Sequence, residues 1–430
     1  MIIVTKWKET EIGKIPEDWD IKRLGEITDT LTGFPFKSND YSLIDGTLVV
    51  RGENLSERQF RWDKPKRWRT MNHFIEKYFL RENLAILAMD GNVGKNKAIT
   101  KKEDLPLLLA QRVAAVIAKR GECQEFINQI LMSDLFLKYC QRVKTGTTIA
   151  HISKEQIEDF IIPYPKSGNE QYSIAKIFSN LDSKIELNNQ MNVTLKAMAQ
   201  SLFKHWFIDF EFPNEKGDPY KSSRGRMVDS EKANKNIPSG WFVEPIDKSV
   251  KFLNGLALQK YPARSGDRYL PVIKIRELKQ GITESSDKAN LSVPKEYIIE
   301  DGDILFSWSG SLEVIVWTFG KGALNQHLFK VTSDEYPKWF YYYWILEYLS
   351  EYRAIAEGKT TTMGHIQRQH LTNSIILVPD KITLAKMNRV FNPIMEKLIQ
   401  IGVESNRLSN IRDSLLPKLM SGKIRVPLES

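Results

Sequence analysis

Cysteine is nearly absent: Cys123 and Cys140 are the two in 430 residues. Neither has a second cysteine pair or a histidine at ligand spacing, which argues against structural zinc and against a secreted disulfide scaffold. A reduced, cytoplasmic compartment fits that usage. No apolar run reaches about 18 residues, so no membrane span is expected. The opening MIIVTKWKETEIG has only a short apolar run before Lys6, so it does not read as a signal peptide.

Catalytic signatures are scarce too. The nearest string to an Asn/Asp-Pro-Pro-aromatic adenine-methylation motif, Asp218-Pro219-Tyr220, lacks the second proline and reads as a turn. Gly91-Asn92-Val93-Gly94-Lys95 is too short for a phosphate-binding loop and lacks its Ser/Thr. Asp267…Glu277-Leu278-Lys279 meets a loose nuclease spacing. Chance produces that pattern readily in a chain with this many charges, and Glu53-Asn54-Leu55, the matching string of a first copy, has no lysine.

What is present is a basic balance and a repeat. The net charge is +9 and the pI about 9.1, which favours an anionic partner, nucleic acid being the commonest. Ile15-Pro16-Glu17-Asp18-Trp19 returns 222 residues later as Ile237-Pro238-Ser239-Gly240-Trp241, and Gly33 returns as Gly255 at the same offset. Thr147-Thr148-Ile149-Ala150-His151-Ile152 returns 214 residues later as Thr361-Thr362-Met363-Gly364-His365-Ile366. Solenoid periods run about 20–50 residues, so this is a duplicated domain pair, able to make two similar contacts with one elongated partner.

The organisation follows from the punctuation. Residues 1–165 form a first mixed domain with a lead-in segment, with β-type runs at Gly46–Val50, Leu84–Met89 and Val113–Ala118 and one helical stretch, Glu122–Lys144. Residues 166–212 are helical: from Asn169 to about Phe207 there is neither Pro nor Gly. Residues 213–236 read as a polar, turn-rich linker. Residues 237–379 form a second mixed domain, with β-type runs at Tyr269–Ile275, Asp303–Trp308 and Val314–Phe319 and an aromatic helix around Trp339–Arg353. Its Phe340-Tyr341-Tyr342-Tyr343-Trp344 run is expected to face the core. Residues 380–430 are again helical.

Both helical regions carry heptad seams. Ile174, Leu181, Leu195 and Leu202 mark the first, and Ile394, Ile401, Leu408 and Leu415 the second. Asn188, Asn192 and Ser405 interrupt the seams at their centre, where polar groups fix register at some cost in stability. Matched seams in one chain predict an intramolecular coiled coil. Helices packing separately on their own domains are the plainer alternative. A helix of about 39 residues spans roughly 60 Å, against about 34–36 Å per DNA turn.

Polar clusters near turns are the candidates for nucleic-acid contact. In the first copy they are Lys37, Arg51, Asn54, Arg58, Asn92, Lys95, Lys97, Gln111, Arg112, Lys144, Thr147, Thr148 and His151. In the second they are Gln259, Lys260, Lys274, Arg276, Ser309, Ser311, Gln326, His327, Lys359, Thr361, Thr362 and His365. Arg suits guanine edges, Asn and Gln suit adenine, and Lys neutralises phosphate. For any single residue a solvated surface role competes with contact, and for the two histidine turns a structural cap does. Arg51-Gly52-Glu53-Asn54 stands against Lys274-Ile275-Arg276-Glu277, so two domains of one fold would read different sequences.

Three strings resemble the specificity subunits of type I restriction-modification systems: Trp7 to Trp19 (WKETEIGKIPEDW), Ser201 to Pro213 (SLFKHWFIDFEFP) and Ser414 to Ile424 (SLLPKLMSGKI). The resemblance implies an α+β protein in which two mixed α/β target-recognition domains are separated by two long antiparallel helices forming a coiled coil, a pseudo-twofold internal repeat. It implies that each domain reads half of a bipartite double-stranded DNA site and that this chain binds no cofactor and has no catalytic or metal-binding residues. Two modification subunits with S-adenosylmethionine, and restriction subunits with ATP and Mg²⁺, are the implied partners. Arg224 to Lys235 departs from the family's more Gly- and Glu-rich approach to the second domain. The competing reading is a stand-alone metal-dependent DNA endonuclease, which would need Asp267 and Glu277.

Overall fold

The structure, a computed structural model, describes residues 6–70, 73–146, 148–358 and 364–426. They form two compact units: one comprises residues 1–183 and 409–430, the other residues 184–408. The unit boundaries fall inside two helices, Gly168–Phe207 and Lys381–Met420, each 40 residues long.

In the first unit an antiparallel sheet runs in the order Lys97–Ile99, Ala85–Ala88, Val113–Ala118, Thr28–Thr32. A second sheet pairs Leu107–Leu109 parallel to Thr47–Val50, with Arg67–Trp68 antiparallel on its far edge. Ala85–Ala88 is buried at every residue, as expected of a strand covered on both faces. The expected helix Glu122–Lys144 is broken at Ser133 into Gln124–Met132 and Asp134–Val143. The break leaves helix-end carbonyls that need donors. Lys97 Nζ donates to the carbonyls of Leu131 (2.9 Å) and Ser133 (3.4 Å), and Arg58 to that of Met132 (2.9 Å).

The second unit repeats the plan. Its antiparallel sheet runs Val314–Val316, Ile304–Ser307, Leu328–Thr332, Lys251–Asn254, and Tyr269–Ile273 pairs parallel to Gly322–Leu324. The aromatic helix spans Lys338–Glu357 without a break, and Phe340 to Trp344 are all buried. The expected linker is partly built: Met227–Ser230 and Lys235–Pro238 form a hairpin equivalent to Trp7–Thr10 with Gly13–Pro16. The second copy therefore begins about ten residues earlier than turn-forming composition indicates, and Phe212 stacks on Trp241 beside it (5.1 Å).

The long helices pair within each unit. In the first, Arg412 donates to Asp182 (2.8 Å), and Leu416, Leu419 and Met420 share a core with Ile174 and Phe178. In the second, Asn188 donates to Glu404 (2.8 Å) and Trp206 packs edge-on against Phe391. Residue numbers rise along one helix as they fall along the other, so the pair is antiparallel. Of the expected seam, Ile174 and Ile401 are buried, while Leu181, Leu195, Leu202, Ile394, Leu408 and Leu415 are half-buried. The Asn188 and Asn192 amide oxygens and the Ser405 hydroxyl have no protein partner, which is the stability cost of a polar centre.

One close backbone contact recurs in both units. A Cβ on Gly33 would lie 2.1 Å from the Ala110 carbonyl oxygen, and one on Gly255 would lie 2.2 Å from that of Asn325. Backbone meets backbone there, so nothing flexible can yield. Gly255→Ala is expected to lower stability by about 3 kcal/mol, read as a loss of thermal midpoint. An unchanged midpoint would show that the close approach is not required.

Candidate nucleic-acid interface

Parallel strands end on the same side of a sheet, and each unit uses that fact. In the first, Thr47–Val50 leads into Arg51 and Leu107–Leu109 leads into Gln111 and Arg112. Phe36, Ser38, Tyr41, Arg51, Gln111 and Arg112 line one concavity. The Arg51 guanidinium lies 5.6 Å over the Tyr41 ring and pairs with Glu53. Arg112 adopts a left-handed backbone conformation (φ 64°), which aims it off the strand end.

Asp90 organises this corner. Its carboxylate takes Arg112 at 3.0 Å and His151 Nδ1 at 2.5 Å, and its backbone bridges to His151. The Gly91 amide donates to the Ala150 carbonyl (2.8 Å), which ties the turn carrying Asn92 and Lys95 to the turn carrying Lys144, Thr148 and His151. Asn92, Lys95, Lys144, Thr148 and Lys37 are exposed.

The second unit has the same scaffold with other side chains. Ser309 bridges to His365 as Asp90 does to His151. The Ser309 hydroxyl lies 3.1 Å from His327 Nδ1, where Asp90 holds Arg112 in the first unit. Gln326 stands where Gln111 does, and Lys274 where Arg51 does. The Trp308 ring lies beside His327 (5.9 Å). Gln259, Lys260, Arg276 and Ser311 are exposed, whereas Ser309 is buried and supports its neighbour rather than facing solvent.

Three more of the expected contact residues, besides Ser309, are taken up by contacts within the fold. Lys97 is 5% exposed, with its ammonium spent on the helix break. Arg58 serves the same break and lies 3.9 Å from both Asp182 and Asp413. Asn54 is 1% exposed and accepts from the Arg51 amide (3.1 Å). Its counterpart Glu277 is 0% exposed and accepts from the Lys274 amide (3.1 Å), Arg276 and Ser286. That carboxylate is closed to a metal ion, and among the described residues no cluster of metal-ligating side chains occurs. Thr147, Lys359, Thr361 and Thr362 lie outside the described residues. Asp90, Tyr41 and Trp308 were not legible as site residues: the repeat offset drifts from 222 to 214 between the matched strings, so Asp90 has no obvious partner until strand pairing aligns it with Ser309.

Residues 16–197 match the family model for the type I restriction modification DNA specificity domain. The type I restriction enzyme MjaIX specificity subunit of Methanocaldococcus jannaschii is 27% identical over 98% of this chain and 97% of its own length. Along almost its whole length this chain is therefore similar to type I specificity subunits. The HindI specificity subunit of Haemophilus influenzae is 23% identical over 70% of this chain and 77% of its own. The crystal structure of the S subunit from M. genitalium shares the fold, with a TM-score of 0.55 at 15% identity, covering 97% of this chain and 99% of that one. Residues 16–197 thus resemble a DNA specificity domain, and no comparison favours the endonuclease reading. Among the described residues no helix is long and apolar enough to cross a membrane.

Burial, reinforced by the Arg58 charge, lowers the Lys97 ammonium to about 8 from 10.5. Between those values the unfolded chain holds a proton that the folded chain has released, so stability rises with pH across the window. Lys97→Met is expected to flatten that rise in denaturant titrations at pH 7.5 and 10, without altering the methylated DNA motif. A motif change would return Lys97 to the DNA contacts.

Proposed function

We propose that each unit reads one half of a bipartite double-stranded DNA site through the residues gathered at its parallel strand ends. The long helices set the gap between half-sites and offer the docking surface for two modification subunits. Those subunits supply S-adenosylmethionine-dependent adenine methylation, and restriction subunits using ATP and Mg²⁺ complete the complex, in the cytoplasm. The observation that carries the reading is the repeated corner: one backbone scaffold, with Asp90, Arg112 and His151 in one unit and Ser309, His327 and His365 in the other.

The side chains suit the task. Arg51 and Arg112 have the fork geometry for guanine, and Gln111 and Gln326 can pair with the two edge groups of adenine. The exposed lysines Lys37, Lys95, Lys144 and Lys260 suit phosphate, which positions without specifying sequence. Asp90 both neutralises and aims Arg112, so the arginine is pre-set before DNA arrives.

Sequencing methylated positions in genomes that express the modification partner with variant subunits tests both halves of the proposal. Arg112→Ala is expected to relax one base position in one half-site, the consequence of losing about 1–3 kcal/mol of discrimination, with the other half unchanged. Inserting one heptad into each long helix is expected to lengthen the nonspecific gap and leave both half-sites as they were. If Arg112→Ala leaves the motif intact, the strand-end reading is wrong. If the heptad insertion alters the half-sites themselves, the spacing role is wrong.

A further inference from the structure

Beside the first unit's polar corner stands an apolar point. Leu43 is 67% exposed and Ile44 is 87% exposed, at the tip of one short loop. The tip is held rigidly. The buried Ser42 hydroxyl accepts from the amides of Ile44 (3.2 Å) and Asp45 (3.3 Å) and donates to the Asp45 carboxylate (2.7 Å). Arg69 donates to that same carboxylate (2.5 Å), and Arg67 to the Gly46 carbonyl (3.0 Å). Gly46 closes the loop at φ 99°, where a Cβ would lie 2.5 Å from the Trp68 carbonyl oxygen. A loop with no task would not need its two large apolar side chains presented to water on so braced a frame.

Its surroundings name the partner. Tyr41 lines the concavity with Arg51, Gln111 and Arg112. Leu43 follows two residues later, within about 7 Å of chain. The strand that braces the tip lies in Lys64-Pro65-Lys66-Arg67-Trp68-Arg69, which has four cations and no acid. An apolar point bordered by cations on a face that reads bases fits a nucleic-acid duplex better than the apolar surface of another protein. Leucine and isoleucine are among the side chains that enter base steps, unstack them and bend the duplex.

The second unit lacks the point. The backbone bridge of Ser42 to Arg67 has its counterpart in Pro262 to Ala289. There Ala263 and Arg264 occupy the tip, and the nearby Tyr269 ring lies under the Lys288 ammonium at 4.4 Å.

We infer that Leu43 and Ile44 form a wedge that enters a base step at the half-site read by the first unit, with Lys64 to Arg69 on the adjacent phosphates, so that the complex unstacks its DNA asymmetrically. The inference rests on the first unit's reading of DNA and adds how the duplex is deformed. Such a device would read the ease of unstacking at a step it does not hydrogen-bond.

The test uses the complex assembled with its modification subunits and duplexes in which 2-aminopurine replaces single bases through and beside both halves of the methylated motif. The wedge predicts one step, at one half only, whose fluorescence rises on binding in the wild type and not in a Leu43→Ser/Ile44→Ser variant. That variant should still methylate the hydrogen-bonded positions of the motif, while binding it about tenfold more weakly and losing preference at the unstacked step. Positions that brighten equally in both proteins belong to base handling by the modification subunits and not to the wedge. The inference is overturned if no position depends on residues 43 and 44. It is also overturned if the variant fails to assemble with the modification subunits, which would make the tip a protein contact. A wild-type complex that methylates no specific motif would overturn the DNA-reading proposal itself, and that result is seen before any fluorescence is measured.

Discussion

Antiparallel pairing of the two long helices is the interaction on which the rest depends, because each unit's core takes side chains from both helices. The first unit's core takes Leu416, Leu419 and Met420 from the far end of the sequence. Arg425 then locks that end in place, donating two bonds to Asp18 (3.0 and 2.7 Å) and two to Glu170 (2.6 and 3.0 Å). The Arg425 hydrogen bonds hold the Asp18 carboxyl below its ordinary range, so this contribution is present near neutral pH and fades as acid protonates Asp18. The second unit likewise needs Phe203, Trp206 and Phe207, which pack among Trp339, Phe391 and the aromatic helix. Closing chain segments so distant in sequence costs entropy, and the buried aromatic and aliphatic area must offset it.

On that frame the two units separate what must stay constant from what can vary. The constant part is backbone: a glycine pressed against a carbonyl, a parallel strand pair, and a turn bridged to the residue after a central strand. The variable part is the side chains at the strand ends. Asp90 with Arg112 and Ser309 with His327 occupy one geometry and present different chemistry. Under the proposed function, a change in the bases read would require no change in how the unit folds. The same separation explains why Asn54 and Glu277 differ in charge yet do one job, each accepting from the backbone amide three residues before it.

Much of this was legible in the sequence, for identifiable reasons. The long helices were, because the first runs from Asn169 to Phe207 without Pro or Gly and both carry periodic seams. The core role of Phe340 to Trp344 was, because it takes the place of an ordinary hydrophobic helix. The strand-end position of Arg51 was, because it follows the apolar run Gly46–Val50, whereas Gln111, Arg112, Gln326 and His327 read only as polar residues near turns, their strands Leu107–Leu109 and Gly322–Leu324 being too short to stand out. Burial of individual cations was not. Lys97 and Arg58 are polar residues near turns like the rest, and only the break at Ser133, invisible in a helical pattern, shows where their charges go. The hairpin at Met227–Ser230 was hidden for a similar reason, since short exposed strands carry the composition of a linker.

Hydrogen exchange on the full chain and on a version ending at Leu408 measures the dependence of the first unit on the distant helix end. The account predicts that amides around Trp19 to Leu24 and Ile174 to Phe178 lose protection in the shortened chain while those of Ile304–Ser307 and Leu328–Thr332 keep theirs. Unchanged protection around Trp19 and Phe178 would contradict it, because the first unit would then fold without the helix that is said to complete it.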